Sequence, residues 1–246
     1  MTHEYREPAP PQRAMMISAH PDDIEFVVAG TAAKWRRAGC AVRYVVVTSG
    51  DVGSHQPGMT RVELARMREA EQRAAAAVAG VDDVVFLGYP DGTVENSLAL
   101  RRDLVREIRR FRPDIVFCFD PTMLFGSSGY INHPDHRAVA QAAIDAISPA
   151  ASMPLIFPEL RLQGYEPHRV KAIYIAASEN ADVWVDITET IELKIQALRK
   201  HTSQFTTDWD PADMLREWAA ADAAKTGMCY SESFRRFVLV DEEEES

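Results

Sequence analysis

Residues 15–23, Met-Met-Ile-Ser-Ala-His-Pro-Asp-Asp, constrain the fold more than any other stretch of the chain. The apolar run before His20 suits a central strand of a sheet covered on both faces. It stops abruptly on a histidine, a proline and two acids. Pro21 suits the first position of a following helix, where no backbone N–H is needed. Ile24, Phe26, Val27 and Val28 carry that helix on toward Trp35, and Gly39 supplies its stop. A strand running straight into a helix is the building unit of an α/β sheet, and ligands of such sheets sit at the strands' carboxyl ends. The helix dipole favours carboxylates at the same place. As neighbours on a helical turn, Asp22 and Asp23 should point about 100° apart. One can then hold a metal while the other faces a water beside it.

A second stretch answers the first. Residues 132–136, Asn-His-Pro-Asp-His, again put His-Pro at a helix start, here running on through residue 144. His20, Asp23 and His136 make a three-donor N/O set with a place left for water, as in a catalytic zinc site rather than a closed structural one. Asp22 and His133 remain beside it as an acid/base pair. Asp135 reads as a carboxylate that orients an imidazole, or as a helix cap.

The rest of the chain alternates in the same manner. Strands are predicted at 42–48, 84–87, 114–119, 170–176, 183–187 and 235–240. Helices are predicted at 61–79, capped by Thr60, and at 98–111, 188–200 and 211–224. That alternation predicts one Rossmann-like α/β domain over 14–240, with a mostly parallel sheet and helices on both faces. Residues 1–13, with Pro8, Pro10 and Pro11, read as a loosely ordered lead-in, and 241–246 as a solvated acidic tail. The loop at 120–132, next to the proposed site, is a candidate substrate lid.

A net charge of −10 argues against nucleic acid and anionic membrane as partners. Cys40, Cys118 and Cys229 are widely spaced and odd in number, so neither a disulfide framework nor a metal pattern emerges, and a reducing cytoplasm is the expectation. The N-terminus has no signal-peptide pattern, and no apolar run reaches the length of a membrane span.

The two signatures, 19–23 and 133–136, resemble those of the LmbE/PIG-L superfamily of zinc-dependent N-deacetylases. The likeness continues through Thr-Ser-Gly-Asp-Val-Gly at 48–53, Arg-Glu-Ala at 68–70, Leu-Gly-Tyr-Pro-Asp-Gly at 87–92, Arg-Pro-Asp-Ile-Val-Phe at 112–117, Val-Asp-Ile-Thr at 185–188 and His-Thr-Ser-Gln at 201–204. The resemblance implies removal of an acetyl or other acyl group from an N-acylated amino sugar or its conjugate. It implies Zn²⁺, with iron or another divalent metal as a substitute, Asp22 as general base, and a protonated His133 that steadies the oxyanion. It places Arg68 and Asp91 against the sugar hydroxyls, and it implies a homo-oligomer, a trimer or hexamer. Other readings are an amidase for a larger acyl-glycopeptide or sugar-thiol conjugate, and a sugar-binding protein with a vestigial metal site. Some relatives place a tyrosine just before the second His-Pro; here Ile131 and Asn132 follow Tyr130, so that role does not carry over. His55, Tyr130 and His201 read as structural, with the pocket rim as their alternative.

Overall fold

A computed structural model describes residues 5, 7–126, 129–205 and 209–240; the acidic run 241–246 lies outside them. The chain begins with strand β1 (Arg13–Ser18), helices α1 (Asp23–Val27) and α2 (Ala29–Arg37), and β2 (Ala41–Thr48). It continues through α3 (Arg61–Val78), β3 (Asp83–Tyr89), α4 (Leu98–Phe111), β4 (Ile115–Phe119) and α5 (Pro134–Asp145). A π-turn (Ala146–Ala150) and α6 (Pro158–Leu162) lead to β5 (Ala172–Ala176), β6 (Val183–Asp186), α7 (Ile191–Leu198), α8 (Ala212–Ala223) and β7 (Ser231–Val238).

These strands form one sheet in the order β3-β2-β1-β4-β5-β7-β6. β1 lies between β2 and β4, so the strand order reverses at its edge, where a doubly wound sheet opens its ligand crevice. The first five strands are parallel, as their helical crossovers require. β7 departs from expectation. It starts at Ser231 rather than residue 235, inserts between β5 and β6, and runs antiparallel to both. Alternation of strand and helix carries no direction for a strand that folds back into a gap.

Successive residues of the central strands bury alternate faces. Met16, Tyr44, Val46, Phe117 and Tyr174 pack with Trp35 of α2 and with α7 and α8. Met15, Ile17, Val45, Val116 and Ile173 pack under α4 and α5. Both faces are covered, which explains why β1 is buried from Ala14 to its end.

Two local expectations need correcting. The single helix expected over 21–35 is broken at Val28 (φ −143°, ψ 0°), and α2 restarts at Ala29. The restart frees amides that a continuous helix would have used. The Glu232 carboxylate of β7 takes them, accepting from Gly30 N at 3.0 Å and Thr31 N at 2.7 Å. Two described residues of the lead-in are also tied down. Tyr5 Oη donates to Trp184 O at 2.7 Å and accepts from Trp184 N at 2.6 Å, and Glu7 pairs with Lys34. Among the described residues, no helix is long and apolar enough to cross a membrane.

Candidate active site

The chain leaves β1 toward the crevice and does not enter a helix at Pro21. Asp22 stands outside α1 in the left-handed region, φ 90° and ψ −28°. The expected divergence of Asp22 and Asp23 on one helical turn is therefore replaced by a sharper one. A non-glycine residue held there stores about 1–3 kcal/mol, which its surroundings must offset. Asp23 then opens α1, and its Oδ2 accepts from the amides of Ala19 (3.1 Å) and His20 (2.8 Å). Its Oδ1 stays free to face His136 Nε2 at 3.1 Å.

His20 closes the set. Its Nδ1 lies 3.2 Å from His136 Nε2 and 3.7 Å from Asp23 Oδ2. Two imidazole nitrogens and a carboxylate thus lie close together, the carboxylate meeting each ring through a different oxygen. Ligand bonds of about 2.0–2.1 Å around a four-coordinate ion put neighbouring donors about 3.3 Å apart, a spacing this set approaches. His20, His133 and His136, and His20, Asp91 and Asp135, also group their donor atoms closely enough to hold an ion. Phe119 stacks flat on His136 (centroids 4.7 Å, 3°) and fixes that ring's plane.

Behind His20 sit two carboxylates. Its Nε2 is 3.1 Å from Asp91 Oδ1 and 3.3 Å from Asp135 Oδ2. A neutral ring donating from Nε2 offers Nδ1 as a lone pair, the form a bound metal would select, and outer carboxylates orient metal-binding histidines in this way. Burial opposes charge on His20, but the hydrogen bonds to Asp135 and Asp91 outweigh it and raise the ring to about 10. Asp135, wholly buried, also accepts from Gly92 N (2.7 Å) and Val94 N (3.1 Å). Asp91 accepts from Val52 N at 3.0 Å. Its oxygens are thus engaged by this protein's own groups rather than turned out toward a sugar.

Arg68 differs from expectation in the same way. The guanidinium is buried, donating from Nη1 to Gly50 O (3.0 Å) and from Nη2 to Pro21 O (2.7 Å) and Asp22 Oδ2 (3.1 Å). A Cβ at Gly50, itself at φ +62°, would lie 2.3 Å from Arg68 Nη1, so the loop after β2 needs glycine to admit the guanidinium. Asp22 is held from its other side as well. Its amide donates to Gln72 Oε1 at 2.9 Å, Gln72 Nε2 donates to Glu25 Oε1 at 2.9 Å, and Glu25 Oε2 meets His201 Nε2 at 3.2 Å. Gln72, Glu25 and His201 are wholly buried, which removes His201 from the pocket rim. Sequence reading missed Gln72 and Glu25. The one available signal was that Arg68 and Gln72 stand four apart, on one face of α3. Burial pushes the Asp22 carboxyl up to about 6 against the pull of Arg68.

His133 caps α5, and its Nδ1 accepts from Asp135 N at 3.2 Å. With Nδ1 used as an acceptor, the neutral ring carries its proton on Nε2 and acts as a donor. Burial and the neighbouring His20 and His136 lower its pKa below the ordinary imidazole value. The ring sits edge-on to His20 at 4.8 Å between centroids. Of the remaining candidates, Tyr130 lies half exposed at the mouth of a cavity and His55 is exposed. Asp120, at the end of β4, caps its own turn at Thr122 and holds Ser178.

Comparison with known proteins identifies the family of the chain. The PIG-L family, described as GlcNAc-PI de-N-acetylase, matches residues 15–147, which hold both signatures. The diacetylchitobiose deacetylase of Thermococcus kodakarensis is 31% identical, over 91% of this chain and 82% of its own length. The solved N,N'-diacetylchitobiose deacetylase of Pyrococcus horikoshii superposes with a TM-score of 0.86 at 32% identity, over 93% of this chain and 84% of its own. GalB of Pseudomonas putida, a 4-carboxy-2-hydroxymuconate hydratase, shares the fold at 20% identity (TM-score 0.75, 94% of this chain and 98% of its own), which speaks for the fold alone. On the family match and the Thermococcus relative together, the chain belongs to the PIG-L family.

Proposed function

We infer that this protein is an N-deacetylase, a hydrolase that removes acetyl from a small N-acetylglucosamine-containing substrate, with zinc held by His20, Asp23 and His136. The observation that carries this reading is the convergence of those three donors at 3.1–3.7 Å beside an Asp22 and a His133 that are held elsewhere. The names of the relatives supply the substrate class. A bound divalent ion would polarise the amide carbonyl and acidify a water.

The chain's own groups do the rest. Asp22, raised to about 6 by burial, is basic enough to take a proton from the attacking water near neutral pH. Arg68 and Gln72 keep it aimed. The Nε2–H of His133 donates to the carbonyl oxygen as negative charge develops there. Asp22 then passes its proton to the leaving nitrogen, and acetate and a free amino sugar depart. Asp91 and Asp135 act through His20 by fixing its tautomer. A non-catalytic sugar-binding protein would have no use for a carboxylate strained into the position of Asp22.

The test is mass-spectrometric. Zinc-loaded protein is incubated with N-acetylglucosamine, diacetylchitobiose, N-acetyl amino acids and N-acetylated polyamines. Acetyl loss from the sugars, abolished by a chelator, is the expected result. Turnover confined to the acyclic amides would overturn the sugar assignment and leave the amide chemistry standing.

A further inference from the structure

The metal centre opens on one side into a cavity of about 760 Å³. Its wall next to the centre is the pair Asp23 and His136, continued by Phe26, Val27, Phe119 and Ala219. Neither Asp22 nor His133 lines it. In amide hydrolysis the departing nitrogen must lie within reach of the group that protonates it. On the reading above that group is Asp22, so the amine side of the substrate faces away from this cavity. What projects into the cavity is the other half of the amide.

Beyond its apolar walls the cavity reaches Ser231, Asp222 and Ser233. Glu232, beside them, is spent on Gly30, Thr31 and the Lys194 ammonium at 2.6 Å. Ser231 is not. It is wholly buried, and its hydroxyl has no hydrogen-bond partner among the described residues. An unpaired buried hydroxyl is destabilising, and a ligand group that bonded it would remove that cost. A volume of this size suits a ligand of several hundred Å³, far more than an acetyl methyl fills.

We propose that this cavity receives the acyl side of the amide, so that the enzyme removes acyl groups longer than acetyl, apolar next to the carbonyl and ending in a hydrogen-bond donor that meets Ser231 and Asp222. The proposal rests on the deacetylase reading and keeps its chemistry. The acyl C–N bond breaks, water supplies the hydroxyl of the released carboxylic acid, and water's proton goes to the amine.

The experiment compares N-acetyl-, N-hexanoyl- and N-(ω-hydroxyhexanoyl)glucosamine as substrates of the zinc-loaded full chain. The hexanoyl compound should match or exceed acetyl in kcat/KM, and the terminal hydroxyl should add about three- to tenfold, the worth of one hydrogen bond. In Ser231→Ala that added factor should vanish. In Ala219→Trp, which fills the cavity, the hexanoyl-to-acetyl ratio should fall by about tenfold or more, the effect of losing a few buried methylenes. Acetyl cleavage with no hexanoyl cleavage overturns this proposal alone; an unchanged ratio in a folded Ala219→Trp overturns it too. Failure to cleave any of the three overturns the deacetylase reading itself. If Ala219→Trp does not fold, the wild-type ratio and the Ser231→Ala comparison decide.

Discussion

The two His-Pro-Asp junctions are spelled almost alike and built differently. At the second, Pro134 takes the first position of α5, exposed, with His133 as an ordinary cap before it. At the first, Pro21 is buried two residues before the helix, and Asp22 is bent into the left-handed region between them. The difference lies in what packs against each. α3 presents Arg68 and Gln72 to the first junction, and they grip Asp22 by side chain and amide. At the second, the Arg137 side chain holds only the carbonyl of Asn132, and among the described residues no side chain is bonded to the backbone of His133 itself. On the proposed reading, the first junction spends conformational strain to separate ligand from base, and the second supplies a ligand and a donor at no such cost.

The largest test of that comparison removes ligands from each side. Asp23→Ala and His136→Ala should both lose the metal, and with it essentially all turnover, since each deletes one of three donors. Elemental analysis of the purified variants reads this directly. A fully metallated Asp23→Ala would mean that Asp22 or the acid pair at Asp91 and Asp135 binds the ion instead.

Separating the strained neighbour comes next. Asp22→Asn keeps a side chain that tolerates the left-handed region and removes only the base. Metal content should stay near that of the unaltered protein, while kcat falls by about 10²–10⁴, the usual worth of a positioned general base. Loss of metal in this variant would reverse the assignment of the two aspartates.

A smaller effect tests the grip itself. Arg68→Ala removes a charge-assisted hydrogen bond worth about 1.5–3 kcal/mol, so activity should drop by about ten- to a hundredfold. If Arg68 acts by aiming Asp22, the loss falls on kcat, and Gln72→Leu shows a milder version of it. If Arg68 instead holds sugar hydroxyls, the loss falls on KM and Gln72→Leu is silent.

Much of this molecule was legible beforehand, for reasons that also mark where reading stopped. β2 announces itself as a β-branched run, and α3 by the Thr60–Glu63 capping box, because those signals are local. His20, Asp23 and His136 could be brought together from two junctions at strand ends, since the fold class dictates where such ends meet. The left-handed Asp22 could not. Two acids after a proline look like a helix's first turn, and only partners 46 and 50 residues away overrule that preference. The Gln72–Glu25–His201 chain was hidden for the same reason: its links span 47 and 176 residues. The antiparallel β7 was hidden because hydrophobic periodicity has no arrow.

The smallest prediction returns to the two prolines. Pro134 only presets a backbone angle at a position whose N–H is an orphan, so Pro134→Ala should cost about 0.4–1 kcal/mol through the unfolded chain. In a chain of this size that lowers Tm by about 1–4 °C. Turnover should hardly change, because the ring is exposed and the cap at His133 survives. Pro21→Ala should cost similar stability but act on chemistry. Its carbonyl is an acceptor for Arg68 at 2.7 Å, and its fixed angle leads straight into Asp22. Loosening that residue lets the base and the guanidinium drift together, so kcat should fall severalfold while metal content holds. The decisive figure is the ratio of kcat between the two alanine variants, measured at equal metal loading. A ratio near one would mean that Asp22 is aimed by α3 alone, and that the buried proline merely fills space.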